Sequence, residues 1–224
     1  MTINAVLFDM DGLMFDTERM SEREWIAIGK RNNVNITSAD ISLLRGKNRA
    51  AGKEAFEKRF GTDIPFEAWA IETRQAMRAQ LEIAIPQRPF LMELLRFLQE
   101  QNIKMAVASS TNSKMVEQNL QKAGVRDYFS AVIGGDQVQE SKPSPEIFIK
   151  AAAALNTPVT QCIVLEDSYS GVRAGAAAGC YTVMVPDLDP ATPEMQTLAR
   201  AIVPSLAEVI SLIQAMQKEE KDVS

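Results

Sequence analysis

Two carboxylates spaced two residues apart follow the first apolar segment of the chain. The run Ala5–Phe8 leads directly into Asp9 and Asp11, and Gly12 comes next. Side chains two positions apart on an extended segment point the same way, so both carboxylates face one region. Their negative charges repel each other unless a cation lies between them. The spacing therefore predicts a divalent-metal site in which one acid is left to do chemistry.

Two later strand-like segments also end in polar side chains. The run 103–108 leads into 109–112 (SSTN), and the run 162–165 ends in Glu166 and Asp167. Hydroxyls and free N–H groups at a helix start bind anions, and oxygen ligands without histidine or thiolate favour magnesium. Each feature alone is also ordinary helix capping. Their convergence with the first motif is what predicts a site.

Lys142 lies in a proline-flanked loop, SKPSP (141–145), just before a predicted helix. A solvated loop lysine is the plain interpretation, but the stiff loop suits an ammonium group that is held in one place. Such a cation would offset the acids and bind an anion. The parts together predict a phosphate site with a metal, a nucleophile and a lid.

Composition limits the class of protein. The chain has 224 residues, 46% hydrophobic and 24% charged, and a net charge of -5, which argues against a nucleic-acid partner. It has no apolar run long enough to span a membrane, and from its first residues we expect no secretory leader. We therefore expect a cytoplasmic protein, and nothing demands more than a monomer. The absence of histidine excludes Ser-His-Asp triads and histidine zinc sites. Cys162 and Cys180 lie in apolar runs and are predicted to be reduced, buried thiols.

Alternating strands and helices after residue 83 predict an α/β fold, a doubly wound, Rossmann-like, mostly parallel sheet. The stretch 17–82 has helical composition, and its turn signals divide it into four helices. We therefore predict a catalytic core of 1–16 plus 83–224 and an all-helical cap domain of 17–82. An insertion directly after the acidic motif is placed at the edge of the sheet where ligands bind.

Three finer predictions concern helix ends. Ser144 is expected to be the N-cap of a helix whose first residue is the following proline. A C-terminal helix is expected over 205–217, and the charged residues 218–224 are expected to fray.

The motifs resemble those of the haloacid dehalogenase (HAD) superfamily. The residues that carry the resemblance are DMDG (9–12), Ser109, Lys142 with the following proline, and EDS (166–168), in the order of the four family motifs and over nearly the whole chain. The helical insertion is similar to the cap of the β-phosphoglucomutase-like branch of phosphatases and mutases.

This resemblance implies a phosphoric monoester hydrolase. Asp9 would be the nucleophile that forms an aspartyl-phosphate, and Asp11 would be the general acid and base. Magnesium would be held by Asp9, the backbone carbonyl of Asp11, and Asp167, with Glu166 bound directly or through water. The phosphate would be bound by the Ser109 hydroxyl, the Ser110 N–H and Lys142.

The substrate is expected to be a small phosphorylated metabolite, a sugar phosphate or a nucleotide. In the cap, Arg49 matches the position of a substrate-binding arginine, with Lys47 as a second candidate, while Arg45 is read as part of a solvated basic face. Ser21 stands where true β-phosphoglucomutases have a histidine, which favours hydrolysis. The alternatives are a phosphomutase and a catalytically silent protein that binds phosphorylated ligands.

Overall fold

The structure is a computed structural model that describes residues 2–45 and 49–223. It divides into two compact units, Met1–Phe15 with Gln87–Ser224, and Asp16–Pro86. The return to the first unit lies four residues later than the predicted start of the core at 83. The reason is local, because the last helix of the inserted unit extends to Ile83 and Gln87 is the residue that bridges to Phe15.

The first unit is built on a six-stranded sheet in which every neighbouring pair of strands is parallel. The strands are β1 (Ala5–Phe8), β2 (Lys104–Ser109), β3 (Ala131–Gly134), β4 (Cys162–Glu166), β5 (Tyr181–Met184) and β6 (Ala201–Ile202). Their order is β3-β2-β1-β4-β5-β6, so β1 is central and its neighbours are the strands that end in the hydroxyl and acidic motifs. The predicted α/β fold class is confirmed.

The second unit is helical throughout its described elements, and its four helices agree with the predicted number. They are α1 (Thr17–Arg31), α2 (Ser38–Ser42), α3 (Arg49–Phe60) and α4 (Phe66–Ile83). Four aromatic rings meet in its core, with Phe56 at the centre and ring centroids 5.3–6.2 Å from those of Trp25, Phe66 and Trp69. All four residues are buried. Packing of aromatic and aliphatic side chains therefore holds this unit together.

The helices of the first unit follow its strands in the alternation expected from the sequence. They are α5 (Leu91–Glu100), α6 (Ser113–Lys122), α7 (Glu146–Ala154), α8 (Tyr169–Ala177), α9 (Pro193–Leu198) and α10 (Leu206–Val223), with 3-10 turns at Arg126–Tyr128, Gly135–Gln137 and Val159–Gln161. In the part of the chain that the structure describes, no helix combines the length and the apolar character that a membrane crossing requires.

Two helix ends differ from the sequence predictions. The frayed tail is wrong, because α10 continues to Val223; the run KEEK (218–221) consists of strong helix formers, so its charge did not indicate disorder. The predicted N-cap at Ser144 is also wrong. The helix α7 begins one residue later than predicted, with Pro145 as its N-cap. The Ser144 hydroxyl still accepts the Glu146 N–H at 3.5 Å, and the Ser144 N–H donates to the Ser141 carbonyl at 3.0 Å. The helix α9 was not predicted.

Both faces of the sheet are covered, as a parallel sheet requires. Every residue of β1 and β4 is buried. On one face, alternate residues of β1, β2 and β4 pack against α7 and α8 in a cluster that includes Leu7, Ala106, Phe148, Val164 and Ala174. Cys162 and Cys180 belong to the same cluster as free thiols, and burial raises the pKa of the first to about 11 and of the second to about 12. The prediction of reduced, buried cysteines is confirmed.

Candidate active site

A buried lysine joins the ends of three adjacent strands. The Lys142 ammonium donates to Asp9 Oδ1 at 2.5 Å, to Glu166 Oε1 at 2.6 Å and to the Ala108 carbonyl at 3.0 Å. It also lies 4.9 Å from the centre of the Phe148 ring. Only 4% of the Lys142 side chain is exposed. A buried ammonium is tolerated only when it is paired and hydrogen-bonded, so these contacts fix its position.

The charges of this cluster shift its pKa values. Burial is the largest effect on Asp9 and raises its pKa; Lys142 opposes the shift, Glu166 and Asp11 add to it, and the net pKa lies well above the usual range. For Lys142, burial lowers the pKa, but the carboxylates of Asp9 and Glu166 outweigh burial and leave it raised. The lysine therefore stays charged at neutral pH, and one cation faces more than one carboxylate.

Glu166, the last residue of β4, is fully buried, and both of its carboxylate oxygens are engaged. Oε1 accepts from Lys142, and Oε2 accepts from the Ser168 N–H at 3.2 Å and the Ser168 hydroxyl at 2.9 Å. A Cβ on Gly171 would lie 1.8 Å from the carboxyl carbon and from Oε1. Helix α8 can approach this carboxylate only because residue 171 is a glycine.

Three acidic side chains have oxygen atoms close enough to share a metal ion. One carboxylate oxygen each from Asp9, Glu166 and Asp167 lies within 4.8 Å of the others. Gly12, which follows the first motif, has φ +87°, and a Cβ there would lie 2.1 Å from Asp167 Oδ2. The donors are all oxygens and their charge exceeds that of Lys142. This arrangement fits a hard divalent cation such as magnesium.

Asp11 does not join the acidic group through its side chain. Its Oδ2 accepts from the Thr111 hydroxyl at 2.8 Å and from the Ser109 hydroxyl at 3.3 Å. Ser109 is fully buried at the end of β2, and its oxygen also accepts the Thr111 N–H at 3.0 Å. The two acids of the first motif thus lie in different surroundings, one beside a lysine and one beside hydroxyls.

The loop after β3 supports this hydroxyl segment. The Gly135 N–H donates to the Thr111 carbonyl at 2.9 Å, and a Cβ on Gly135 would lie 2.2 Å from the Ser110 carbonyl oxygen. Asp136 accepts from the Ser113 N–H at 2.6 Å and the Ser113 hydroxyl at 2.8 Å, at the start of α6. The two loops are therefore held together by a backbone hydrogen bond and by the Asp136 side chain.

The structure brings most of the sequence-predicted residues together at the carboxyl ends of β1, β2 and β4. Three residues with direct contacts to this group were given no individual role from the sequence, although the first two lie in the motifs quoted above: Thr111, Ser168 and Gly171. The first was detectable, since it stands two positions after Ser109, which is the same spacing that singled out the two aspartates. Ser168 was also detectable, since it stands two positions after Glu166 and contacts it locally. The contact of Gly171 depends on how closely α8 approaches β4, which no local pattern records.

The residues predicted to bind substrate in the cap do not lie fully within the described part of the chain. Lys47 lies outside the described residues, as does the side chain of Arg49, whose backbone begins α3. The interpretation of Arg45 as a solvated residue is wrong, because its guanidinium lies 2.9 Å from a Glu22 carboxylate oxygen and its side chain is only 12% exposed. Arg45 therefore has a structural partner inside the helical unit, one that is distant in sequence.

The fold and the site together define an α/β enzyme with an oxygen-only acidic site at the carboxyl edge of its sheet. Residues 3–179 match the haloacid dehalogenase-like hydrolase family. The chain therefore belongs to this family, and the resemblance noted in the sequence is confirmed.

Individual relatives agree with this assignment. The chain is 29% identical over 181 residues to fructose-1-phosphate phosphatase YqaB of Escherichia coli, covering 81% of this chain and 95% of the relative. It is 32% identical over 191 residues to the chloroplastic protein SUPPRESSOR OF QUENCHING 1 of Arabidopsis thaliana, where the match covers 82% of this chain but spans only 18% of that much longer protein.

A solved structure shows the same fold. The crystal structure of β-phosphoglucomutase from Clostridium difficile is 22% identical and superposes with a TM-score of 0.76, covering all of both chains. A second solved structure, that of a putative β-phosphoglucomutase from Thermotoga maritima, is 25% identical with a TM-score of 0.77, covers 95% of this chain and 99% of that chain, and agrees with the predicted β-phosphoglucomutase-like branch. The family match and the phosphatase relative support the predicted enzyme class, a phosphoric monoester hydrolase.

Proposed function

We propose that this protein is a magnesium-dependent phosphatase that hydrolyses a small phosphorylated metabolite, a sugar phosphate or a nucleotide, through an aspartyl-phosphate. The observation that carries the proposal is the Asp9 carboxylate at the end of β1, fixed by the buried Lys142 ammonium at 2.5 Å and within metal-sharing distance of Glu166 and Asp167. The fructose-1-phosphate phosphatase relative supports a sugar phosphate as the substrate class.

The reaction takes place in two displacements. A carboxylate oxygen of Asp9 attacks phosphorus, the bond from phosphorus to the ester oxygen breaks, and its electron pair stays on that oxygen, which takes a proton from Asp11. A water molecule then attacks the phosphorus of the aspartyl-phosphate and gives a proton to Asp11. The bond from phosphorus to the Asp9 oxygen breaks with its electron pair left on Asp9, so that phosphate is released and the carboxylate is restored. Splitting one difficult displacement into two is the advantage of a covalent intermediate.

Magnesium, when bound, stabilises negative charge on the transferring phosphoryl group. In this chain the Asp9 and Asp167 carboxylates and the Asp11 carbonyl would hold it. Glu166 would bind through water, because hydrogen bonds to Lys142 and Ser168 already engage both of its oxygens. The Ser109 hydroxyl, the Ser110 N–H and Lys142 would hold the phosphate oxygens.

The helical unit would select the substrate. Arg49, at the start of α3, and Lys47 are proposed to contact a second anionic group of the substrate, since a guanidinium binds phosphate or carboxylate in a bidentate manner. Arg49→Ala is then expected to raise KM for bisphosphates more than for simple esters. The cytoplasmic location and the monomeric state also stay predictions from the sequence.

The proposal is tested by a phosphate-release screen of phosphorylated sugars, nucleotides and 4-nitrophenyl phosphate, with magnesium and with a chelator. Asp9→Asn keeps the size of the side chain but removes the nucleophile, so we expect turnover to fall by about 10³-fold or more while the fold survives. Asp63→Asn, at an exposed position of the helical unit, is the matched control. Near-normal turnover by Asp9→Asn would contradict the nucleophile assignment.

The same screen separates hydrolysis from phosphate transfer. A phosphatase releases one phosphate for each ester consumed, whereas a mutase converts a sugar phosphate into its isomer with little release. Stoichiometric release is the outcome we expect, because no histidine is available at Ser21 or anywhere else in the chain.

A further inference from the structure

We propose that Thr111 is a positioning residue for Asp11, and that it determines which oxygen of the Asp11 carboxyl group carries the transferred proton. This inference rests on the proposed phosphatase function. Its basis is the hydrogen bond from the Thr111 hydroxyl to Asp11 Oδ2, at 2.8 Å, the shorter of the two hydroxyl contacts to that oxygen.

The second hydroxyl cannot serve both of its roles at once. A serine hydroxyl has a single hydrogen to donate, and Ser109 gives it to Asp11 Oδ2 over 3.3 Å in this structure. When Ser109 donates to a phosphate oxygen instead, as proposed above, that contact is lost. Of the two hydroxyl donors among the described residues, Thr111 is then the one that stays with Asp11 through the reaction.

Thr111 is held firmly enough to position another side chain. Its N–H donates to Ser109 Oγ at 3.0 Å, and its carbonyl accepts from the Gly135 N–H at 2.9 Å. The same loop lies close to the preceding residue, because a Cβ on Gly135 would lie 2.2 Å from the Ser110 carbonyl oxygen. The backbone on both sides of the Thr111 hydroxyl is therefore anchored to neighbouring strand ends.

The consequence for proton transfer follows from the two oxygens of a carboxylic acid. A donor fixed at Oδ2 favours the protonated form that carries its hydrogen on Oδ1. As the bond from phosphorus to the ester oxygen breaks, that oxygen keeps the electron pair and takes the Oδ1 proton. Negative charge then develops on Asp11, and the Thr111 hydroxyl stabilises it at Oδ2. In the second displacement, Oδ1 takes the proton of the attacking water.

The test uses Thr111→Val, which keeps the shape of the side chain but removes the hydroxyl, and Thr111→Ser, which restores it. The two test substrates differ in how strongly their hydrolysis depends on a general acid. Phenyl phosphate has a poor leaving group, and 4-nitrophenyl phosphate has a good one. The quantity measured is kcat/KM, because it covers only the steps up to alcohol release. We expect Thr111→Val to lose about tenfold on phenyl phosphate and at most about twofold on the nitrophenyl ester, since a general acid matters most for poor leaving groups.

Further results distinguish positioning from simple structural or phosphate-binding roles. Thr111→Ser should recover the wild-type ratio between the two esters, and inhibition by inorganic phosphate should be unchanged in Thr111→Val. Equal losses on both esters, or no loss, would overturn the inference. Thr111→Ala repeats the measurement if the valine variant does not fold. A wild-type enzyme that hydrolyses neither ester would instead overturn the proposed function.

Discussion

The two units of this protein bury different kinds of side chain. The α/β unit buries Lys142 and Glu166, with 4% and 0% of their side chains exposed, at the point where its central strands end. The helical unit buries aromatic rings around Phe56. Among its described residues the buried charged side chain is that of Asp40, which serves as part of a helix cap.

This difference shows where each unit can tolerate change. Buried charges are costly unless every one is paired and hydrogen-bonded, so the α/β unit depends on complete sets of partners around single residues. An aromatic cluster is stabilised by the apolar surface that it buries and by close packing of its rings, and these contributions are spread over many contacts. Substitutions should therefore act through charge in the first unit and through packing in the second.

The largest effect is expected for Lys142→Met, which removes the cation between Asp9 and Glu166. Activity should fall by about 10³-fold, and the free energy of unfolding should drop by about 3–5 kcal/mol, because carboxylates are left buried without their partner. Lys53→Met is the matched control, since its ammonium lies 3.6 Å from Glu57 at an exposed site. The control should cost less than about 1 kcal/mol. Urea unfolding and phosphate release check both variants. Equal destabilisation by the two substitutions would contradict the predicted difference between a buried and an exposed lysine.

Packing in the helical unit is tested by Phe56→Ala. Loss of this ring should reduce the stability of the unit by about 3–5 kcal/mol, as expected for a large buried aromatic residue. Trp25 and Trp69 both lie in its cluster, and the chain has two tryptophans, so tryptophan fluorescence reports on this unit specifically. A loss below about 1 kcal/mol would mean that the cluster collapses around the gap and that packing is not its main support.

Two glycine-to-alanine substitutions, one in each unit, compare how much space the neighbouring atoms leave for a side chain at the glycine. Gly171→Ala would place a Cβ 1.8 Å from the Glu166 carboxyl, so we expect about 1–3 kcal/mol of destabilisation together with lost activity. Gly52, within α3, has ordinary space, with the nearest atom of Phe66 at 4.0 Å from the added Cβ. Gly52→Ala should stabilise by about 0.5–1 kcal/mol, since alanine favours a helix more than glycine does. Thermal unfolding gives both values, and opposite signs are the expected result.

The smallest effect concerns pH and Asp40. Burial raises the pKa of this carboxyl, but hydrogen bonds from the Thr37 hydroxyl and N–H, and the Arg59 guanidinium, outweigh burial and lower it. A group with a lowered folded-state pKa contributes stability that is present above its unfolded pKa of about 3.9 and is lost as the pH falls further. Asp40→Asn should therefore flatten the acid limb of the unfolding curve followed by tryptophan fluorescence. Thr62→Ala, at an exposed position without an ionisable group, should leave that limb in place.

The sequence predicted the fold well where local patterns are strong. Apolar runs such as Ala5–Phe8 and 162–165 indicated a parallel sheet, because strands buried on both faces show no polar alternation. Helix ends were less predictable. The charged run after residue 217 looked like a frayed tail, although its residues also favour helix, and composition alone does not choose between these states.

For the candidate site, the types of side chain were predictable but their contacts were not. Asp9 and Lys142 are 133 positions apart, and their 2.5 Å contact depends on how the loop before α7 is placed. The sequence left open whether Glu166 binds a metal directly. The structure gives both of its oxygens hydrogen-bond partners, Lys142 and Ser168.

By itself, the sequence determined which strand ends carry acids, hydroxyls and a lysine, because spacing along an extended chain decides which side chains share a direction. Only the tertiary structure decided that the Asp9 and Asp11 side chains have different partners. An ammonium group contacts the first, and hydroxyls contact the second. The physical reason is that adjacent parallel strands bring distant segments within hydrogen-bond distance of one another. Which segments meet there depends on the order of the strands, which places β1 between β2 and β4.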